Sequence, residues 1–185
     1  MSDLLLVCRL TLICVLAVAG LAKLRDRRRF ARALDGFSYL PAAARPALAV
    51  LVPVAEIVTA GLLALPRTLV PGLVAATALC AAFSAVAVTT MRRGSSAGCP
   101  CFGSRTTVPM GPWHVARNAV LTVLAVLGAT IALTHGTAAP LDAPALALAG
   151  AVAVHLTVFA VVTDDLAAFF APRPAVAAAE RTITQ

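Results

Sequence analysis

Five apolar runs, each close to the length that crosses a hydrocarbon layer, constrain what this 185-residue chain can become. They cover residues 4–22, 47–65, 68–91, 114–133 and 145–162. A layer of about 30 Å takes about 20 helical residues. Inside it the backbone must satisfy its own hydrogen bonds, which leaves helices or a closed barrel. A barrel needs short alternating segments, and these runs are long and continuous. The expectation is therefore an all-α integral membrane bundle of about five transmembrane helices over residues 1–165, with a disordered tail at 166–185. Composition agrees: 61% of residues are hydrophobic and 12% charged, with a mean hydropathy of +0.94.

The net charge of +7 is not a nucleic-acid signature, because the basic residues flank apolar runs and lack interleaved aromatics. They read as topology signals. Seven Lys and Arg lie in the 23–45 linker, three in the 92–113 loop and two in the tail, against Arg67 in the opposite turns. The positive-inside rule then predicts an outside N-terminus and a cytoplasmic C-terminus in a bacterial inner membrane. Charge follows the first run instead of preceding it, so that run is expected to stay as a helix and not to be cleaved as a signal peptide. Within the linker, Leu24, Phe30, Leu34 and Phe37 recur at helix-like spacing. They predict a short interfacial helix, ended by Gly36 and Pro41, whose arginines meet anionic headgroups.

Arg9 and Glu56 lie inside apolar runs, where each ionised side chain costs on the order of 2.5–3.5 kcal/mol. Such charges need partners. At 1.5 Å per residue they sit about 9 Å and about 15 Å below the same face, so an Arg9–Glu56 pair is expected. It serves either as a lock between two helices or as a proton site coupled to thiol oxidation. Arg117 and His155 are further polar residues in spans, the histidine expected to hydrogen-bond between helices.

The most reactive stretch is Gly98-Cys99-Pro100-Cys101-Phe102-Gly103, in the loop between the third and fourth runs. Cys99 and Cys101 are the candidate catalytic pair, with Arg92, Arg93 and Arg105 close enough in sequence to favour a thiolate. A bridge between residues this near in the chain is strained, and strained disulfides are the exchange-active ones. Spacing alone leaves three readings open: thiol exchange, soft-metal capture and an inert loop. Zinc needs four donors and only His114 lies nearby, so no metal site is assigned, while copper(I) accepts two thiolates. Cys8, Cys14 and Cys80 fall in apolar runs and read as buried small hydrophobes, with a relay from the loop to Cys14 or Cys80 as the alternative.

Several short features occur in a fixed order: Arg9, Gly20-Leu21-Ala22-Lys23-Leu24, Leu40-Pro41, Glu56, Arg93-Gly94, the Cys-Pro-Cys-Phe-Gly stretch and Arg117-Asn118. In that order they resemble the MauE/DoxX-like family of redox-associated bacterial membrane proteins, over about residues 7–135. The resemblance implies a four-helix DoxX-like core plus one helix. It also implies a role in maturing methylamine dehydrogenase, whose small subunit is rich in disulfides and carries a quinone made from tryptophan. A thioredoxin-like partner of the MauD type is implied with it, and Cys99–Cys101 is the natural point of electron exchange. A periplasmic client wants thiols on the outer side, whereas the charge count puts this loop inside. No cofactor is named by the sequence, and a membrane quinone stays open. The competing functions are a copper or mercury carrier and a non-catalytic assembly subunit.

Overall fold

A computed structural model describes residues 2–95, 98, 110–136 and 142–170. Six α-helices follow in order: α1 (Ser2–Arg25), α2 (Arg27–Asp35), α3 (Arg45–Ala64), α4 (Leu69–Arg92), α5 (Pro112–His135) and α6 (Ala143–Phe170). No strand occurs among the described residues. All but α2 are long and apolar enough to cross a membrane, so this is a multi-pass membrane protein with the expected five spans. Most boundaries shift by one or two residues from the sequence reading, and two shift by more. Helix α1 runs on through Lys23 to Arg25, and α6 continues past Asp164 and Asp165, taking in residues 166–170 that were expected in the tail. Residues 171–185 lie outside the described residues.

The first helix is the hub, packing against α3, α5 and α6, while α4 packs against α3 and α5. Leu12, Leu63, Leu69 and Leu73 are fully buried, with Val15, Leu16, Ala76 and Cys80 around them. Leu21, Leu51, Val123, Leu133 and Phe159 are exposed on the outside. An apolar exterior around an apolar interior is what a bundle in lipid presents, so close packing, and not hydrophobic expulsion, must hold the helices together. Glycines permit it. A Cβ on Gly72 would lie 2.9 Å from the Leu63 nitrogen, and one on Gly20 would lie 2.8 Å from Ile57 and 3.1 Å from the Pro53 carbonyl.

At one end of the bundle α3 stops at Ala64, leaving carbonyls with no intrahelical donor. Arg9 takes two of them: its Nε donates to the Leu63 carbonyl and its terminal amine to that of Ala64, both at 2.7 Å. Thr68 donates to the Leu62 carbonyl, also at 2.7 Å. A cation at the negative end of a helix dipole is well placed.

At the other end α2 forms as expected. Asp26 caps it by accepting from the Arg29 amide, Gly36 follows its last residue, and Phe30 and Leu34 point inward while Arg25, Arg27, Arg28 and Arg32 stay exposed. Phe30, Leu34 and Phe37 make a second core with Ala49 of α3.

Gly72 and Gly61 separate close packing from glycine content. Gly72→Val should cost about 1–3 kcal/mol by overpacking, while Gly61→Ala, with nothing within 4 Å of its added carbon, should be neutral or stabilising. Thermal unfolding in detergent checks this; equal losses from both would refute the packing account.

Candidate functional site

The Cα–Cβ bonds of a helix tilt toward its N-terminus. For Lys23, two residues from the end of α1, that direction leads back into the bundle and away from the headgroups. Its Nζ lies 3.5 Å from the Ala19 carbonyl, one turn deeper, and 2.6 Å from Oε1 of Glu56 on α3. The two side chains are 2% and 1% exposed, so this is an ion pair within the hydrocarbon-spanning bundle. Aromatic rings flank the ammonium, Phe30 of α2 at 5.8 Å and Phe83 of α4 at 5.7 Å from ring centre, a cation–π arrangement that partly replaces lost water. Four helices thus build the setting of one charge pair.

This corrects the expected Arg9–Glu56 pair. Arg9 is held at the level of Leu63 and Ala64 by their carbonyls. Glu56 lies seven residues before Leu63 in α3, about 10 Å away along the axis. The unmet carbonyls of a helix end are the nearer claim on the guanidinium. Lys23 had been counted with the topology-setting cations; its position one turn beyond Gly20, which abuts α3 at Pro53 and Ile57, is the signal that could have found it.

Other polar residues gather at the same end. Arg117 of α5 is buried, and its terminal amine reaches the Ala160 carbonyl of α6 at 3.4 Å. Cys80 of α4 is 1% exposed and lies within electrostatic reach of both Glu56 and Arg117. Cys8 is also buried, against Gly128, and Cys14 is half-buried. His155 does not join helices: it is exposed on α6 and its Nδ1 lies 2.7 Å from the Ala151 carbonyl of its own helix.

Cys99 and Cys101 lie outside the described residues, as does Arg105. The roots of their loop are described, and both join this end of the bundle. Gly94, with φ +60°, turns the chain off α4, and the Arg93 guanidinium sits 5.1 Å from the Tyr39 ring centre. Tyr39 bonds Thr90 through its hydroxyl at 3.1 Å. On the return, Met110 packs against the Phe30–Phe37 core, and the Gly111 amide donates to Nδ1 of buried His114 at the start of α5. Among the described residues no group of three or more His, Cys, Asp or Glu assembles as a metal site.

Chemically, a carboxylate beside an ammonium is a group that can accept and release a proton. Breaking the pair on one side should be worse than removing it. Lys23→Met or Glu56→Met alone should each destabilise by about 3–5 kcal/mol, and the Lys23→Met, Glu56→Met double variant by less than the sum. An Arg9→Glu, Glu56→Arg swap should rescue nothing. Folded yield and thermal unfolding in detergent read all four; strict additivity of the two Lys23 and Glu56 changes would refute the coupling.

The family model described as "Methylamine utilisation protein MauE" matches residues 1–131. A relative named methylamine utilization protein MauE, from Paracoccus denitrificans, is 35% identical over 123 residues, covering 66% of this chain and 66% of the relative, just under two thirds of its length. No solved structure matches.

Proposed function

Since the chain belongs to the MauE family of methylamine utilisation proteins, we propose that it is a membrane accessory protein in thiol–disulfide maturation, with Cys99 and Cys101 as the exchanging pair. Its client is the disulfide-rich small subunit of methylamine dehydrogenase, and a thioredoxin-like protein of the MauD type is the exchange partner. The observation that carries this reading is the placement of the loop's two roots. Arg93 at one and Met110 at the other are fastened to the end of the bundle where Lys23, Glu56 and Arg117 are buried. Charged groups kept inside a membrane protein at such cost mark sites of chemistry more often than of packing. Here they lie at the end where the two described roots of the loop join the bundle, and in the sequence that loop holds Cys99 and Cys101.

The reaction is an exchange. A thiolate of the partner attacks the disulfide of the pair, forming a mixed disulfide and releasing one thiolate of the pair; the partner's second thiolate then displaces the other, so that two electrons pass to the pair, which ends as a dithiol, and the partner leaves with the disulfide its client needs. Cys8, buried against Gly128, is a packing residue in this scheme. Arg9 caps α3 and takes no part. The basic end formed by α2 supports an outside N-terminus and an inside C-terminus in the bacterial cytoplasmic membrane, an orientation in which the pair reaches an outer-side client through a relay such as Cys14 or Cys80.

With one cysteine of the pair removed, the other should hold a mixed disulfide. Cys101→Ser or Cys99→Ser should therefore trap the thioredoxin-like partner in a complex visible on a non-reducing gel and released by reductant. Client disulfide formation that proceeds normally in the Cys99→Ser, Cys101→Ser double variant would overturn the proposal.

Orientation is read separately. A membrane-impermeant maleimide should label Cys99 and Cys101 only after the cells are opened, with the double variant as background. Labelling in intact cells would reverse the orientation.

A further inference from the structure

Helices α5 and α6 touch at few points, and between them lies a cavity of about 370 Å³ that opens on the lipid-facing side. This is within the range of roughly 300–1,000 Å³ for small-molecule sites. Trp113, Val120 and Leu124 of α5 line one wall, and Leu156 and Phe159 of α6 the other, each set recurring at helical spacing. The exposed wall is almost wholly apolar. Arg117 from α5, Thr11 from α1 and Thr163 from α6 add polar side chains to the lining, and Thr163 already donates to the Phe159 carbonyl of its own helix.

Thr11 is the informative one. Threonine and serine inside an apolar helix ordinarily donate to the carbonyl one turn back. Thr77, Ser84, Thr90, Thr122, Thr157 and Thr163 all do so here. Thr11 does not: it is 1% exposed and its hydroxyl has no hydrogen-bond partner among the described residues. An unmet buried hydroxyl costs about 1–3 kcal/mol, which a ligand with an acceptor oxygen would relieve.

Depth decides what that ligand is. At 1.5 Å per residue, Thr11 lies roughly 21 Å from the Arg25 end of α1 and roughly 14 Å from the Ser2 end, near the middle of the hydrocarbon. A phospholipid keeps its ester and phosphate oxygens at the interface and offers only methylenes at this depth. A quinone carries carbonyl oxygens on a ring that dissolves in the hydrocarbon itself. Thr11 and Arg117 can both donate to such oxygens.

We propose that the groove between α5 and α6 is a binding site for a membrane isoprenoid quinone, with its ring at the Thr11 and Arg117 end and its tail along the apolar wall. The site rests on the thiol-exchange reading only for the reaction it would serve. In that reaction a dithiol and a quinone give a disulfide and a hydroquinone. Two S–H bonds break, one S–S bond forms, and two electrons and two protons pass to the ring to make two O–H bonds. The quinone would be the oxidant that regenerates the disulfide of the loop pair.

Trp113 lines the groove and is the single tryptophan of the chain, so its fluorescence reports occupancy directly. Titrating the full chain in detergent with a decyl-tailed benzoquinone should give saturable quenching. Thr11→Val should weaken binding about 2- to 10-fold, the loss of one hydrogen bond, and Thr11→Ser should restore it. Val120→Phe, which narrows the groove from its exposed side, should weaken it further, with circular dichroism showing each variant folded. The Cys99→Ser, Cys101→Ser double variant should bind quinone as the parent does, so failure of the exchange chemistry and failure of the site are told apart. Quenching that rises linearly without saturating, a Thr11→Val affinity equal to the parent's, or displacement by equimolar phosphatidylethanolamine would overturn the site.

Discussion

A carboxylate inside a membrane bundle must find a cation, and much of one end of this protein is arranged so that Glu56 finds Lys23. The 2.6 Å contact needs α1 and α3 in close register, and Gly20 permits that register by leaving room for Ile57 and the Pro53 carbonyl. It needs α2 folded back over the end of α1, because Phe30 is one wall around the ammonium. It needs α4 at the same level to supply Phe83. Without the pair, two desolvated charges would oppose the packing of three spans.

The two ends of the bundle meet the same constraint differently. At the end where α3 terminates, the polar groups to be satisfied are backbone carbonyls, and Arg9 and Thr68 satisfy them from neighbouring segments. That arrangement closes on itself. At the other end the charges are side chains, deeper, and associated with a thiol at Cys80 and with both roots of the two-cysteine loop. The contrast separates Arg9, whose work is structural, from Lys23, Glu56 and Arg117, which stand where chemistry is proposed. Sequence alone put Arg9 and Glu56 in one class because both are charges in apolar runs.

Much of the architecture was legible because the bilayer simplifies the problem. A span must be helical and of a minimum length, so the five apolar runs announced five helices, and Gly36 marked the end of α2 to the residue. What failed to be legible was partner choice. Arg9 and Glu56 are close enough by rise per residue to suggest a pair, but rise measures depth along an axis and not the competing claim of α3's own carbonyls. Lys23 looked like one cation among seven because its neighbours face water; only the tilt of its side chain and the contact of α1 with α3 turn it inward.

By itself, then, the sequence determined the solvent, the number of spans, the amphipathic α2 and the presence of two adjacent thiols, since each follows from local composition and periodicity. The tertiary structure decided which charges meet, that His155 faces outward on its own helix, and that Thr11 lies buried on a groove wall without the bond its counterparts make. The physical reason is that burial and pairing are properties of the space between helices. Helix spacing and rotation are set by where glycines let backbones approach, which no single segment encodes.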